Sequence, residues 1–509
     1  MIYAVLRAKI EFFDTNPLGR IINRFAADTG ISDETLPLTV YDFSVGCFVA
    51  FASVAISAAV LPLILVAIPP LILVFLRLRT MFVTTTCELK RLEGMARSPI
   101  FSMISEALIG ISTTRSNNKI EYMKLKFQEA HNAHSRAVFA FIASSRWFAT
   151  QMEILAFTLM GIFGFASVLF NQHGWLGEID PAVFGVALTM LLQMTGTNFP
   201  WIVRQSAEVM NQMVSIERVL EYGSLPQEAA LTMDSDDRDY SKWPEDTSIV
   251  VDNLSIRYRS NLPLALNAIS FQVMPRQRVG VVGRTGSGKS SLLQALFRIL
   301  EAEIGTVYIG GIDISMLGLH SLRTGMSVIP QTPILFSGCS IRENLDPFGK
   351  FNESQIRAAL ESVNMMKTVH DLPGGLDSEV AEGGNNLSSG QRQLLCLSRS
   401  ILLQKSILIL DEPTSNVDVT TDRLLQETLK SQFSDATVIS VAHRLDTIID
   451  YDMILVLGDG RVQEFGSPYE LLSKGSAFAS MVHNTGHAMS KILTERARLA
   501  ALDRIKKES

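Results

Sequence analysis

Residues 278–290 read RVGVVGRTGSGKS, a short apolar run that leads directly into a glycine-rich loop. The run predicts a buried β-strand, and the spacing of apolar residues in Ser291–Leu300 predicts a helix after the loop. Glycines let such a loop fold so that its N–H groups point at an anion, at the positive end of the helix. Strand, loop and helix in this order predict a P-loop, which cradles a nucleoside triphosphate.

Two side chains of the predicted P-loop should act directly on the phosphates. Lys289 is expected to reach the β- and γ-phosphates of ATP, and Ser290 to ligate Mg²⁺. The pattern also arises by chance, so it needs support from companion motifs. The residues predicted to bind ATP in this segment are Gly283, Arg284, Thr285, Gly286, Ser287, Gly288, Lys289, Ser290 and Ser291.

A second apolar run ends in two carboxylates. Ile407–Leu410 predicts a buried strand, and Asp411 and Glu412 follow it. The carboxyl end of a strand that faces a P-loop is where the magnesium shell needs an anchor, so Asp411 is a predicted metal ligand. Glu412 is predicted to orient and deprotonate the attacking water as the general base. The alternative is an ordinary acidic strand end.

A third motif, LSSGQ at 387–391, lies immediately before a predicted helix. Serine and glycine there leave a helix N-terminus able to hold an anion. Taken alone, the motif is better interpreted as a turn with a helix cap. Around these motifs, Ser248–Val482 alternates β-rich runs with helical stretches, which predicts an α/β domain.

The first part of the chain is apolar in a way that predicts membrane spans. Phe43–Leu76 has no charged residue, and as one helix it would be about 50 Å long, against a hydrocarbon core near 30 Å. Two shorter spans, about 43–60 and 61–79, therefore fit better, with a turn near Val60-Leu61-Pro62. A second pair is predicted at 147–170 and 181–203, joined by a turn at 171–180.

Basic residues flank the outer ends of both predicted hairpins, which places those ends in the cytoplasm. Buried helices of a large soluble protein are the alternative. Thr80–Ser145 is a polar, helix-forming excursion, in which Ser98-Pro99 predicts the start of a short helix, Pro99–Glu106. The acidic stretch Gly223–Thr247 predicts a solvated linker. The charged tail, His487–Ser509, predicts a solvated helix, with a membrane-surface role as a second interpretation.

The composition agrees with a membrane protein. The sequence is 47% hydrophobic and 19% charged, whereas soluble domains carry about 25% charged residues. A formal net charge of −6 argues against a nucleic-acid partner. The four cysteines are scattered, without the spacing of a zinc site, so we interpret them as reduced and structural.

Six motifs in order resemble the ATP-binding-cassette transporter family: GRTGSGKS, Gln331, LSSGQ, ILILDE, SNVD at 415–418 and His443. Segments 12–37 and 98–116 resemble the cytoplasmic coupling loops of subfamily C, which contains the multidrug-resistance-associated exporters; the chain resembles their C-terminal half. The resemblance implies an incomplete α-helical transmembrane domain of exporter type over 1–222 and an α/β P-loop NTPase cassette over 248–486. The composition adds the acidic linker over 223–247 and the charged helical tail over 487–509.

The resemblance also implies roles for single residues. Tyr258, expected on a short strand, would stack on adenine, or it is an aromatic side chain packed in that strand. Gln331 would sense Mg²⁺ and the attacking water, and His443 would contact the γ-phosphate unless it is a structural core histidine. A further set would contact a nucleotide held between two cassettes: Ser388, Ser389, Gly390, Gln391 and Asp418.

Three residues near the membrane are candidates for substrate contact. Trp201 and Arg204 match a pair that the exporters use near their substrate cavity, and Arg146 lies before the third predicted span. For Arg146 and Arg204 a cavity-lining role and snorkelling to the interface stay open as alternatives. Gln151 and Pro200 depart from the family pattern. Two more departures are Ser389 in LSSGQ at 387–391, which is the family's signature motif, and Asn416 in the loop after Asp411 and Glu412.

The function implied is ATP-driven export of small molecules such as organic anions, conjugates or drugs, coupled to ATP hydrolysis. The alternatives are a nucleotide-gated channel or its regulatory subunit, and a soluble ATPase. Cassettes of this family act in head-to-tail pairs, so the expected partners are the lipid bilayer, a small-molecule substrate, and the missing N-terminal half or another half with its own cassette. The expected location is the plasma membrane or a vacuolar or lysosomal type of membrane, with the cassette in the cytosol.

Overall fold

The structure is a computed structural model that describes residues 1–60, 62, 64–173, 181–193, 198–233, 243–413, 417–442 and 444–508. Its contacts divide the chain into two compact units. The first comprises Met1–Val5 and Asn16–Leu225, and it is helical. The second comprises Leu6–Thr15 and Pro226–Ser509, and it combines two sheets with helices.

Long apolar helices make up the first unit. Three stretches in the described part of the chain are long and apolar enough to cross a membrane, Leu18–Val60, Leu65–Ile109 and Ile120–Leu169, and Ala182–Gln193 is a shorter apolar helix. The α-helices are Ile2–Leu6, Leu18–Asn23, Leu36–Val60, Ile64–Ile109, Ile111–Ser116, Ile120–His173, Pro181–Gln193 and Phe199–Gly223, with π-helical turns at Arg24–Asp28 and Ile31–Thr35.

The predicted first turn is confirmed, because one helix ends at Val60 and the next begins at Ile64. The predicted turn at 171–180 lies largely outside the described residues, although 171–173 are still helical. The predicted span 181–203 corresponds to parts of two helices, Pro181–Gln193 and Phe199–Gly223, and residues 194–197 lie outside the described part.

The predicted short helix Pro99–Glu106 is wrong, because Ile64–Ile109 is one continuous helix that contains Pro69, Pro70 and Pro99. A proline inside a helix removes one backbone hydrogen bond and costs about 3 kcal/mol. This helix packs along Ile120–His173 over a long interface. We attribute the continuity to that tertiary packing, since local proline chemistry alone favours a new helix start at Ser98.

Aromatic pairs contribute to the packing between helices of the first unit. Phe82 stacks on Phe148 with ring centroids 4.2 Å apart, and Phe163 stacks on Phe184 at 5.4 Å. Phe163 and Met152 are fully buried. Such pairs contribute about 0.5–1.5 kcal/mol beyond the area they bury.

Two sheets form the second unit, and the mostly parallel one confirms the predicted α/β pattern. A four-stranded antiparallel sheet has the order β2-β1-β4-β5, and a six-stranded sheet has the order β10-β9-β3-β8-β7-β6 with all neighbours parallel except β10 and β9. The strands are β1 Ile249–Ile256, β2 Leu266–Val273, β3 Arg278–Gly283, β4 Ile304–Ile309, β5 Ile312–Asp313, β6 Met326–Ile329, β7 Ile407–Asp411, β8 Thr437–Val441, β9 Met453–Gly458 and β10 Arg461–Gly466.

The helices of the second unit pack into two main apolar cores. The first core surrounds β1, β3 and the helix Lys289–Leu296, and the second surrounds the helices Glu353–Ser362 and Ser389–Leu403. The remaining α-helices are Ile10–Thr15, Leu319–Gly325, Ile341–Leu345, Met366–Asp371, Val419–Gln432, Pro468–Ser473, Ala477–His483 and His487–Glu508. Single 3₁₀ turns occur at Ile314–Met316, Gly375–Asp377, Glu382–Gly384 and Leu445–Thr447.

The predicted solvated linker is in part packed on the cassette. The N–H of Glu228 donates to the carbonyl of Arg7 at 2.8 Å, and the carbonyls of Ala230 and Leu231 accept from the first N–H groups of the helix Leu319–Gly325. Trp243 packs against the first core. Acidic composition alone does not reveal the hydrogen bonds of Glu228, Ala230 and Leu231, because they are made by the backbone. Residues 234–242 lie outside the described part.

The charged tail also differs from a solvated helix. Helix His487–Glu508 buries Leu493 and Ala497 in a third apolar core with β9. Arg496 and Lys430 both pair with Asp450, and Arg504 pairs with Asp452. Burial raises the pKa of the Asp450 carboxyl, but hydrogen bonds from Arg496 and Lys430 outweigh it, so the pKa lies below its usual range.

Leu493→Ala should destabilise the cassette by about 2–5 kcal/mol, because Leu493 is 1% exposed and its removal leaves a cavity. Leu499→Ala is the matched control on the same helix, because Leu499 is 53% exposed, and it should change stability by about 0.5 kcal/mol or less. Urea titration of the detergent-solubilised chain measures both. Equal effects of the two variants would contradict the docked position of this helix.

Candidate functional site

The P-loop lies at the carboxyl edge of the six-stranded sheet. Strand β3 runs between β9 and β8 and ends at Gly283, and the helix Lys289–Leu296 begins after Gly288. Gly288 has φ +99°, and a Cβ there would lie 2.6 Å from the Leu266 side chain and 2.9 Å from the carbonyl of Ala265. Only glycine fits this position. The predicted strand–loop–helix order is therefore confirmed.

Lys289 is buried at the base of this loop, with 6% exposure. Its Nζ donates to the carbonyl oxygens of Gly283 at 3.0 Å and Arg284 at 3.2 Å. Burial lowers the pKa of Lys289, and the negative charges of Glu412 and Asp411 partly oppose this effect. The ammonium thus points into the loop, where phosphate oxygens could take the place of these carbonyls.

A hydroxyl in the same loop is also available for a ligand. Ser287 is 4% exposed, and within the described residues its Oγ has no hydrogen-bond partner. A buried unpaired hydroxyl is costly unless a ligand or water satisfies it. The loop therefore fits an anionic ligand whose oxygens accept hydrogen bonds from the Ser287 hydroxyl and the Lys289 ammonium.

Glu412 follows β7 and faces the same edge as Lys289, since β7 and β3 belong to one parallel set. Its N–H donates to the carbonyl of Val441 at 3.1 Å, and its carboxylate accepts from Nε2 of Gln331 at 3.0 Å. Its φ of +45° lies in the left-handed region. Such a backbone is uncommon for a residue with a side chain, and strain of this kind clusters at functional sites.

Gln331 reaches Glu412 because the strands before them are neighbours. β6 ends at Ile329, pairs in parallel with β7, and leaves Gln331 two residues beyond the strand end. The structure thus brings together Lys289, Asp411 and Glu412, which the residue patterns predicted, and Gln331, which the resemblance implied. Their roles toward ATP and Mg²⁺ stay predictions.

Tyr258 lies beside the P-loop helix, although the predicted strand position is wrong. Strand β1 ends at Ile256, and Tyr258 follows it in an irregular segment. Its hydroxyl shares a hydrogen bond of 3.0 Å with Oγ of Ser291, and its ring packs against the first core. The alternative of a packed aromatic side chain is thus wrong about the strand but agrees with the packing of the ring. The stacking role stays a prediction.

The signature residues begin the helix Ser389–Leu403, which belongs to the second core. Ser388 Oγ accepts from the N–H of Gln391 at 3.2 Å, and the Gln391 side chain accepts from the N–H of Ser388 at 2.8 Å. This reciprocal capping box confirms the helix-cap interpretation. The expected contact with the nucleotide of a second cassette stays a prediction.

Asp418 caps the helix Val419–Gln432 close to the signature. Its carboxylate accepts hydrogen bonds from the hydroxyls of Thr420 and Thr421 and from the N–H of Thr421, which lower its pKa to about 2. A Cβ on Gly390 would lie 3.5 Å from Asp418 Oδ1. Asp418 and the signature thus form one patch. Asn416 lies outside the described residues.

His443 lies outside the described residues, but its neighbours border a large cavity. Ala442 and Arg444 line about 1040 Å³ of space together with the loop Gly283–Ser287. Arg444 is fixed by an ion pair of 2.7 Å with Asp422, a pair that sequence reasoning missed. Twenty-odd residues separate the two, and no spacing rule links them.

The three candidate substrate residues lie in the first unit. Arg204 stands 5.8 Å above the Trp201 ring, a cation–π distance, and both are exposed. Arg146 is also exposed. A buried cluster of Phe82, Phe148, Met152 and Val203 brings the helix of Arg146 and the helix of Arg204 together. A role toward substrate stays a prediction for all three.

Comparisons with known proteins match both units. Residues 266–415 match the ABC transporter family, and residues 1–197 match the ABC transporter transmembrane region. The chain is 43% identical to mouse ATP-binding cassette sub-family C member 4 and 42% identical to the human protein of that name, each over 98% of this chain and 37% of the relative. It is 40% identical to the probable multidrug resistance-associated protein lethal(2)03659 of Drosophila melanogaster, over 95% of this chain and 35% of that protein.

The chain thus spans a little over a third of the length of these curated relatives. Its similarity nevertheless extends through both units, from the apolar helices to the P-loop and the strand of Glu412. The protein belongs to the ATP-binding-cassette transporter family and resembles its subfamily C, with a membrane-embedded helical part and an ATP-binding cassette.

Proposed function

We propose that this chain is the ATP-hydrolysing portion of an exporter that moves small molecules such as organic anions, conjugates or drugs across a membrane. The observation that carries the proposal is one polypeptide that joins apolar helices to a P-loop with Glu412 and Gln331 at its edge. The names of its relatives, sub-family C members and a multidrug resistance-associated protein, support the same class.

In the proposed mechanism Lys289 leaves the carbonyls of Gly283 and Arg284 and donates to phosphate oxygens instead. The N–H groups at the start of the helix Lys289–Leu296 and the Ser287 hydroxyl hold the remaining oxygens. Glu412, oriented by Gln331, accepts a proton from the water that attacks the γ-phosphate. Tyr258 stacks on the adenine ring.

Mg²⁺ is the cofactor that the family implies, and the oxygen donors here suit it. Ser290, Gln331 and Asp411 would hold the ion. When bound, Mg²⁺ supplies charge neutralisation between the phosphates. The buried, unpaired Ser287 hydroxyl and the desolvated Lys289 fit the triphosphate that accompanies it.

We propose that a second cassette completes the site. The signature residues Ser388, Ser389, Gly390 and Gln391 begin a helix that packs in the second core, whereas the P-loop helix packs in the first. Ser388 and the nearby Asp418 are exposed. They would contact the nucleotide of an opposing cassette, carried by another half with its own P-loop. His443 would contact the γ-phosphate. The chain by itself is then expected to bind ATP but to hydrolyse it slowly.

The helical part would lie in the plasma membrane or a vacuolar or lysosomal type of membrane, with the cassette in the cytosol. Arg146, Trp201 and Arg204 are proposed to contact the transported compound. A charged residue at mid-bilayer costs about 2.5–3.5 kcal/mol unless it faces a cavity or snorkels. An anionic compound beside Arg204 would satisfy that charge.

Transport assays in sealed inside-out vesicles test this proposal. Vesicles that carry the chain with a complementary half should accumulate a radiolabelled glutathione conjugate or another organic anion only with ATP and Mg²⁺. A non-hydrolysable ATP analogue is the control and should support binding without uptake. ATP-gated conductance without uptake would contradict export and favour a channel.

A further inference from the structure

Three segments of the second unit that are distant in sequence meet at one ion pair. They are Leu6–Thr15, the linker stretch 226–231, which we call the strap, and the P-loop helix Lys289–Leu296. The ion pair joins Glu228 of the strap to Arg323.

The strap is held on both edges by backbone hydrogen bonds. On one edge the N–H of Glu228 donates to Arg7 and the N–H of Lys9 donates to Pro226, with Ala8 and Gln227 forming an antiparallel bridge. On the other edge its carbonyls accept from the first turn of the helix Leu319–Gly325. That helix lacks a side-chain cap, so the strap satisfies N–H groups that would otherwise be unpaired.

Glu228 forms a two-pronged ion pair with Arg323, with distances of 2.8 and 3.1 Å. The Arg7 guanidinium donates to the strap carbonyls of Glu228 and Ala229. Both carboxylate oxygens are thus engaged, and the Glu228 side chain is only 17% exposed. Bidentate arginine–carboxylate pairs fix geometry as well as adding energy.

The same arginine reaches the far end of the P-loop helix. Arg323 Nε donates to the carbonyl of Phe297 at 3.2 Å, and Nη2 donates to that of Arg298 at 3.3 Å. These carbonyls follow the last residue of the helix, where a cation is favourable. The helix is about 12 Å long. Its first residue, Lys289, lies at the proposed phosphate site, and the residues that follow its other end contact Arg323.

A cavity beside Tyr258 borders the same elements. Tyr258, proposed to stack on adenine, lines a cavity of about 330 Å³ together with Lys9, Glu11 and Glu228. A base bound at Tyr258 would therefore lie in a cavity that the strap and the segment Leu6–Thr15 also line.

We propose that Glu228 and Arg323 are positioning residues that couple nucleotide occupancy at the P-loop to the order of the strap and of residues 7–9. This inference rests on the proposed ATP-binding function of the P-loop. A shift of the P-loop helix on phosphate binding moves the Phe297 and Arg298 carbonyls, and Arg323 carries that shift to Glu228. Because coupling between two sites is reciprocal, loosening the strap must weaken ATP binding by the factor through which ATP orders the strap.

Hydrogen–deuterium exchange of the full-length chain in detergent tests the proposal, with ATP and Mg²⁺ as the probe. In the unsubstituted chain ATP should slow amide exchange at 283–291, and at 7–9 and 227–231 by about fivefold or more. In Glu228→Ala, ATP should no longer slow exchange at 7–9 and 227–231, while it still protects 283–291. The affinity for ATP should fall by the factor through which ATP slows strap exchange in the unsubstituted chain. Glu228→Gln, which can keep one hydrogen bond, should be intermediate.

Glu353→Ala is the matched control, because Glu353 also pairs with arginines, Arg342 and Arg357, but does not line the cavity beside Tyr258. It should leave ATP affinity and strap exchange as in the unsubstituted chain. If Glu228 has a purely structural role, Glu228→Ala should speed amide exchange of the strap by the same factor with and without ATP, so that ATP still slows it. ATP affinity should then stay unchanged, and this result would overturn the inference. Strap exchange insensitive to ATP while 283–291 are protected would also overturn it. No protection of 283–291 would instead contradict the proposed function.

Discussion

Glu412→Gln should retain ATP while its hydrolysis falls by about 10²–10⁴-fold. The amide is nearly isosteric with the carboxylate, and its oxygen can still accept the hydrogen bond from Gln331 that now measures 3.0 Å. The geometry at the strand end is thus kept, but the group that takes the proton from water is lost. Removing a positioned general base costs a factor of this size.

The measurement needs the chain assembled with a complementary half, because the signature that completes the site is proposed to come from a second cassette. ATP hydrolysis and the amount of ATP retained after rapid filtration are recorded together. Glu427→Gln is the matched control, since Glu427 is an exposed carboxylate paired with Arg423 on the helix Val419–Gln432. Full hydrolysis by Glu412→Gln would show that another group is the base.

The elements that carry the site were predictable because their signals are local. The apolar run before the glycines and the run before Asp411 each predict a strand without any knowledge of partners. Strands β3 and β7 are parallel members of one sheet, so their carboxyl ends lie at one edge, and Lys289 and Glu412 follow those ends. The capping box at Ser388 was likewise a local inference.

What the sequence did not reveal depends on long-range contacts. The pair Glu228–Arg323 joins residues almost a hundred positions apart, and an acidic linker gives no sign that its backbone is paired. The tail helix has charges around most of its surface, so burial of Leu493 was not evident from periodicity. Pro99 fails as a helix start because tertiary packing outweighs a local preference.

Lys289→Ala should lower the affinity for ATP and Mg²⁺ by about 30-fold to several thousand-fold, corresponding to roughly 2–5 kcal/mol for truncating one partner of a buried charge pair. Its ammonium is desolvated and donates to the carbonyls of Gly283 and Arg284. Loss of the side chain should therefore cost the empty protein far less than it costs the complex. Titration with a fluorescent ATP analogue measures the affinity, and thermal unfolding of the same sample reports the fold.

Lys289→Arg should not restore the affinity, because the larger guanidinium must fit a site where lysine is 6% exposed. The ATP affinity of Lys289→Arg thus shows whether the site requires a compact ammonium or only a positive charge. Lys289 and Glu412 then affect different steps: removing the first prevents ATP from binding, whereas replacing the second leaves bound ATP uncleaved. If Lys289→Ala bound ATP as tightly as the unsubstituted chain, the loop would not be holding the triphosphate, and the role assigned to Glu412 would fail with it.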